Sequence, residues 1–230
     1  METEPPFTGV VAPIALQRQW AIEIGVVFCL GVLPDAVPIL FHSVLAGQGG
    51  TVTETWQLEI GGLVRAMQRC AIPLYLIYRS ALGFPGFGFR RPRVNDLVTA
   101  FALAAVSIAT YFLSAGISFS GSLGRATAAS APSGTYFLYA LLGLLPALAA
   151  RELVRVFLLV RLAQLFDGTA IPTILVSLMT SFYWLFSRPS AMFLSFIASC
   201  AYCGFFLMER RLLPLVLGAF LANLAVLVIR

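Results

Sequence analysis

The chain has 230 residues, is 60% hydrophobic and only 11% charged, against roughly 25% charged in an average soluble domain. A water-soluble fold of this size could not cover so much apolar side chain, and long apolar runs recur along the whole length, so the bilayer is the expected solvent. The net charge of +5 comes from fifteen arginines and no lysine, scattered over helix ends and short loops without a basic tail, which excludes a nucleic-acid partner of the usual kind.

Residues 1–18 form an acidic, then mildly apolar tail with neither a basic stretch ahead of an apolar one nor a small-residue cleavage site, so no removable signal peptide is expected. A first span is predicted from about Trp20 to Leu45. It carries Glu23, and Pro34, Asp35 and Pro38 kink or break its second half. His42, the single histidine, lies near its end and reads as a polar residue at the water interface. A polar loop, AGQGGTVTET, leads to a second span from Trp56 to about Tyr78. This span holds Glu59, Arg65, Gln68 and Arg69. Arg65 and Arg69 are four residues apart and share a face, which must look into the bundle or along an interface.

Residues 79–95, RSALGFPGFGFRRPRVN, make the sharpest change of composition. Their glycines and prolines exclude a continuing helix, and Arg79, Arg90, Arg91 and Arg93 make this the most basic loop, cytoplasmic by the positive-inside rule. The glycine spacing is not a dinucleotide fingerprint and no strand precedes it. A third span is predicted from Asp96 to about Ser118, with Asn95 or Asp96 as its cap. The loop 118–134 is small, polar and external. Residues 135–166 contain no polar loop, and one helix of that length would reach about 48 Å across a hydrocarbon core of roughly 30 Å. Pro146 is the expected break.

Beyond it lies ALAARELVRVFLLVRLAQLF, residues 147–166, which sets Arg151, Glu152 and Arg155 in an otherwise apolar run. A charge at the bilayer centre costs at least ~2.5–3.5 kcal/mol, so this cluster needs partners, water or a function. Arg161 and Asp167 are expected to mark the cytoplasmic exit. Three further spans are predicted at about 170–186, 190–208 and 212–229. The links SRP and ERR between them are so short that consecutive helices are expected to be antiparallel neighbours. All four cysteines fall in apolar segments and read as small hydrophobes. Cys200-Ala-Tyr-Cys203 lacks a second ligand pair, so neither a metal nor a cofactor is expected.

With the N-terminus inside, Arg18, Arg79, Arg90, Arg91, Arg93, Arg161, Arg210 and Arg211 fall on the cytoplasmic side and only Arg125, Arg188 and Arg230 opposite, which favours that orientation. Seven spans leave the C-terminus outside. An eighth, made by dividing 135–166, inverts the orientation of every later span.

The order of features resembles the CPBP family, the intramembrane CAAX proteases and bacteriocin-processing proteins. The likeness covers most of the chain and rests on GFRRPR before a span, on ALAARELVRVFLLVRLAQLF, and on SFYWLFSRP followed by two close spans ending in GAFLANL. It implies an all-helical, polytopic bundle of seven or eight spans forming one integral membrane domain, with 135–230 as the CPBP-like core, in the bacterial cytoplasmic membrane.

Active members of that family carry Glu-Glu-x-x-x-Arg, Phe-x-x-x-His and His-x-x-x-Asn, whose carboxylates and imidazoles activate a water and stabilise an oxyanion. Here the pattern is eroded. If Glu152 matches the second Glu, Arg151 replaces the first and Arg155 stands one residue early. If Arg155 is matched instead, Ala150 and Arg151 take both carboxylate positions. In the second motif Phe182 is followed by Phe186, and Tyr183 by Ser187. In the third, Asn223 remains but Ala219 stands where a histidine belongs.

The resemblance therefore implies a pseudo-protease rather than an enzyme. Glu152 and Arg155 then form a structural pair with Arg151 reaching toward headgroups, or a remodelled site that binds a lipid headgroup or polar ligand together with Asn223. The expected work is that of an accessory or scaffold subunit whose partners are the lipid bilayer and another membrane protein. The alternative is an intramembrane endopeptidase with substituted catalytic groups. A transporter has weak support from Glu59, Arg65 and Arg69, because no internal repeat is evident.

Overall fold

The computed structural model describes residues 13–33, 55–115, 144–166, 168–182 and 189–229. Among these residues the chain forms eight helices and no strand: α1 (Ile14–Gly31), α2 (Thr55–Arg79), the single turn α3 (Gly83–Gly86), α4 (Val94–Ala115), α5 (Leu145–Phe166), α6 (Ala170–Ser181), α7 (Pro189–Glu209) and α8 (Leu213–Ile229). Expectations about Pro34, Asp35, Pro38, His42, the loops at 46–54 and 118–134, Asp167 and Ser187 fall outside the described residues.

Prolines set where several helices begin. Pro146, Pro172, Pro189 and Pro214 all lie in the first turns of α5, α6, α7 and α8, where a missing N–H removes no intrahelical bond. Pro146 lies in the first described turn of α5, and the part of the run before residue 144 falls outside the described residues. Pro73 is different. It sits inside α2, where it removes the bond to the Arg69 carbonyl that its position would otherwise make. Asp96 acts at the start of α4 from within the first turn. Its Oδ2 accepts the Arg93 backbone N–H at 2.8 Å, half of a capping box.

The stretches Ile14–Gly31, Val94–Leu113 and Met192–Glu209 are long and apolar enough to cross a membrane. Exposed large side chains cluster on them, among them Ile22, Leu30, Leu97, Val98, Phe101, Leu113 and Phe193. Such outward apolar faces suit contact with lipid. α5 is the opposite case. Every residue from Glu152 to Ala163 is buried, and α1, α2, α6, α7 and α8 all pack against it. A helix apolar on all sides belongs at the centre of a bundle, enclosed by other helices. The charged helix is therefore the bundle's axis, and Glu152, Arg155 and Arg161 face protein.

α8 lies against α4. At Gly218 an added Cβ would sit 2.8 Å from Leu103 Cβ and 3.0 Å from the Ala100 carbonyl oxygen, so only glycine permits that approach, the small-residue packing usual between membrane helices. α7 packs on α6 and α4. Across the SRP link the expected neighbours, α6 and α7, do pack. Across ERR no such packing is found among the described residues: α7 and α8 both pack on α4. Arg210, in the link, takes a left-handed conformation, φ 53°, and a short link does not enforce pairing when both helices pack on a common third one.

Candidate functional site

Among the described residues three buried ionic centres hold the bundle, two of them on α5. At the first, Glu152 is 0% exposed. Its Oε1 accepts from Arg151 Nε at 3.2 Å, and its Oε2 from Arg155 Nη1 one turn on. Arg151 has a side chain 40% exposed, while that of Arg155 is 8% exposed. The Arg155 guanidinium lies over the Tyr202 ring of α7, 5.0 Å from its centroid, a desolvated cation–π contact. The Tyr202 hydroxyl is in turn 3.0 Å from Ser107 Oγ on α4. One cluster thus ties α5, α7 and α4. Arg155 Nε is buried without a hydrogen-bond partner among the described residues.

At the second, Arg161 Nη2 lies 2.9 Å from Glu23 Oε2, joining α5 to α1. Gln19 Nε2 donates to Glu23 Oε1 at 2.8 Å, and Arg161 Nη1 donates to Gln164 Oε1 at 2.9 Å. The guanidinium also sits 5.6 Å from the ring centroids of both Phe87 and Phe157. Arg161, expected near the cytoplasmic exit, is held inside the bundle. It is 4% exposed, and its partner is the one carboxylate carried by α1.

At the third, Arg211 Nη1 reaches Asp96 Oδ1 and Oδ2 at 3.0 and 2.9 Å and the Arg91 carbonyl oxygen at 2.9 Å. Thr99 Oγ1 donates to Glu209 Oε1 at 2.7 Å. These bonds fix the start of α4 to the link between α7 and α8.

Of the remaining motif positions, Asn223 and Ala219 are among the described residues. Asn223 Nδ2 donates to the Ala219 carbonyl oxygen of its own helix at 2.7 Å, and no hydrogen bond joins it to Glu152 or Arg155. Ala219 is buried as a small core residue. Between α6 and α7 hydroxyl and thiol groups meet instead: Ser177 Oγ donates to Cys203 Sγ at 3.9 Å, Thr180 and Ser199 lie 2.9 Å apart, and Ser181 donates to Ser195 at 3.3 Å. Such side chains bond helices together inside membranes. All four cysteines are free thiols, and among the described residues no group of three or more His, Cys, Asp or Glu is placed to hold a metal. Arg69 is half-buried on α2, whereas the side chains of Glu59 and Arg65 lie outside the described residues.

Sequence reasoning finds Glu152 and Arg155 and misses Tyr202, Glu23 with Arg161, Asp96 with Arg211, and Phe87. One signal is present for the ion pairs. Each apolar helix carrying a single carboxylate must find a cation, and Glu23 and Asp96 can be matched only to arginines in other helices or links. No protein-family model, no curated protein and no solved structure matches the chain.

Proposed function

We propose that this chain is a polytopic membrane protein of seven or eight spans, CPBP-like in plan, whose charged central helix serves structure in place of catalysis, and that it works as a partner-binding or lipid-binding accessory subunit. The observation that carries the reading is the state of Glu152. It is 0% exposed with both oxygens engaged by guanidiniums, whereas a general base must lie within hydrogen-bond reach of the proton it takes, directly or through one water.

Arg155, the group nearest in kind to the family's arginine, is committed to Glu152 on one side and Tyr202 on the other. Ala219 and Asn223 supply a packed methyl and a helix-internal bond. Three outward apolar helical stretches support residence in the bilayer, and the arginine asymmetry supports a cytoplasmic N-terminus.

The test is purification of the full chain in mild detergent. A membrane-protein partner or a retained lipid at fixed stoichiometry is expected, and recovery of a stable chain carrying neither would oppose the reading.

A further inference from the structure

We infer that the loop between α2 and α4 is a preformed binding site for the headgroups of anionic phospholipids, with Arg90, Arg91 and Arg93 as its ligating side chains. The inference rests on the membrane reading above but not on the role assigned to Glu152.

The loop is fastened from beneath. Phe87 is 0% exposed and stacks on Phe157 of α5, with ring centroids 5.6 Å apart and planes 12° from parallel. The next residue, Gly88, has φ +86°, and an added Cβ would lie 2.8 Å from both Leu212 N and Phe206 Cε2. Its carbonyl oxygen accepts the Leu212 N–H at 3.0 Å. The Arg91 carbonyl accepts from Arg211, and the Arg93 N–H is held by Asp96. Four points therefore pin this loop: to α5, twice to the link between α7 and α8, and to the first turn of α4.

The side chains are oriented the other way. Arg90, Arg91 and Arg93 are all exposed, and none of their guanidiniums has a carboxylate partner among the described residues. The nearest acid along the chain, Asp96, is buried and bound by Arg211. Exposed apolar residues flank them: Phe84 and Phe89, packed edge to face at 5.4 Å, and Val94, Leu97 and Val98 on the first turns of α4. Cations set among apolar groups at the mouth of a spanning helix fit the boundary between headgroups and acyl chains.

Anionic lipid is the occupant by charge complementarity. Three unneutralised guanidiniums seek phosphate, which the guanidinium fork binds in two parallel bonds. The aromatic rings favour a phosphate that carries acyl chains over a free one. Because the loop is already ordered, little entropy is lost on binding.

The experiment is native mass spectrometry of the full chain released from detergent micelles, titrated with dioleoyl phosphatidylglycerol or dioleoyl phosphatidylcholine. At about fivefold per arginine near an anionic surface, the wild type should prefer phosphatidylglycerol by on the order of 100-fold at low salt. The preference should vanish in 0.5 M ammonium acetate, where the screening length is about 4 Å. It should also vanish in the R90Q/R91Q/R93Q variant, and 10 mM inorganic phosphate should not displace the lipid. Equal binding of the two lipids, a preference retained at high salt or in the triple variant, or displacement by phosphate would each overturn the inference. The salt arm decides the matter even if the variant does not fold. A wild-type chain that stayed soluble without detergent would instead overturn the membrane reading.

Discussion

Replacing Glu152 with Gln changes one atom at the centre of the bundle and leaves the volume unchanged. The Arg155 guanidinium remains buried, 6% exposed, against Tyr202, but its counter-charge is gone. Removing one member of a buried ion pair destabilises by about 3–5 kcal/mol because the survivor is left uncompensated. Gln keeps a carbonyl oxygen that can still accept one guanidinium N–H, and half-exposed Arg151 can turn to solvent, so the lower end, about 3 kcal/mol, is expected. At roughly 2–4 °C per kcal/mol for a chain of this size, the melting temperature in detergent should fall by about 6–12 °C.

The double variant E152Q/R155Q removes both charges and should recover more than half of that loss. Near-ultraviolet circular dichroism during thermal unfolding reads both. A melting temperature for E152Q within 1 °C of wild type, or a double variant less stable than the sum of its singles, would refute the claim that the pair stabilises the bundle.

Four further outcomes are expected. E23Q and R161Q should each destabilise by about 3 kcal/mol or more, and E23Q/R161Q should be milder than either, read by the same unfolding measurement. Tyr202→Phe keeps the ring over Arg155 and loses only the Ser107 hydrogen bond, about 1 kcal/mol, whereas Tyr202→Leu also loses the cation–π contact and should fall further. Gly218→Leu should drive α8 from α4 and destabilise by at least ~1–3 kcal/mol, with loss of monodisperse elution on size exclusion. With the native cysteines replaced, P92C should react with a membrane-impermeant maleimide in inside-out vesicles and not in intact cells.

How legible each feature is in the residues depends on how local it is. The bounds of α2 depend on backbone chemistry within a few residues, and α2 runs from Thr55 to Arg79 where a span from Trp56 to about Tyr78 is predicted. The Glu152 and Arg155 pair is three residues apart on one helix, so their meeting is a matter of helical pitch.

Other features depend on which helices become neighbours. Arg161 pairs with Glu23 of α1, a helix remote from it in the chain. Phe87 sits in a loop rich in glycine and arginine, and nothing in that composition tells that its ring enters the core beside Phe157. The ERR link suggests a tight hairpin, but α7 and α8 each pack on α4 instead. In each case long-range packing prevails over a short-range rule.

The most direct test of the central claim, that the charged axis of this bundle is structural, is a cleavage assay with purified protein and a prenylated CAAX peptide. The wild type should release no product above the detergent blank, and E152A should be indistinguishable from it in that assay while unfolding at a lower temperature. Cleavage by the wild type that is lost in a folded E152A protein would contradict the account.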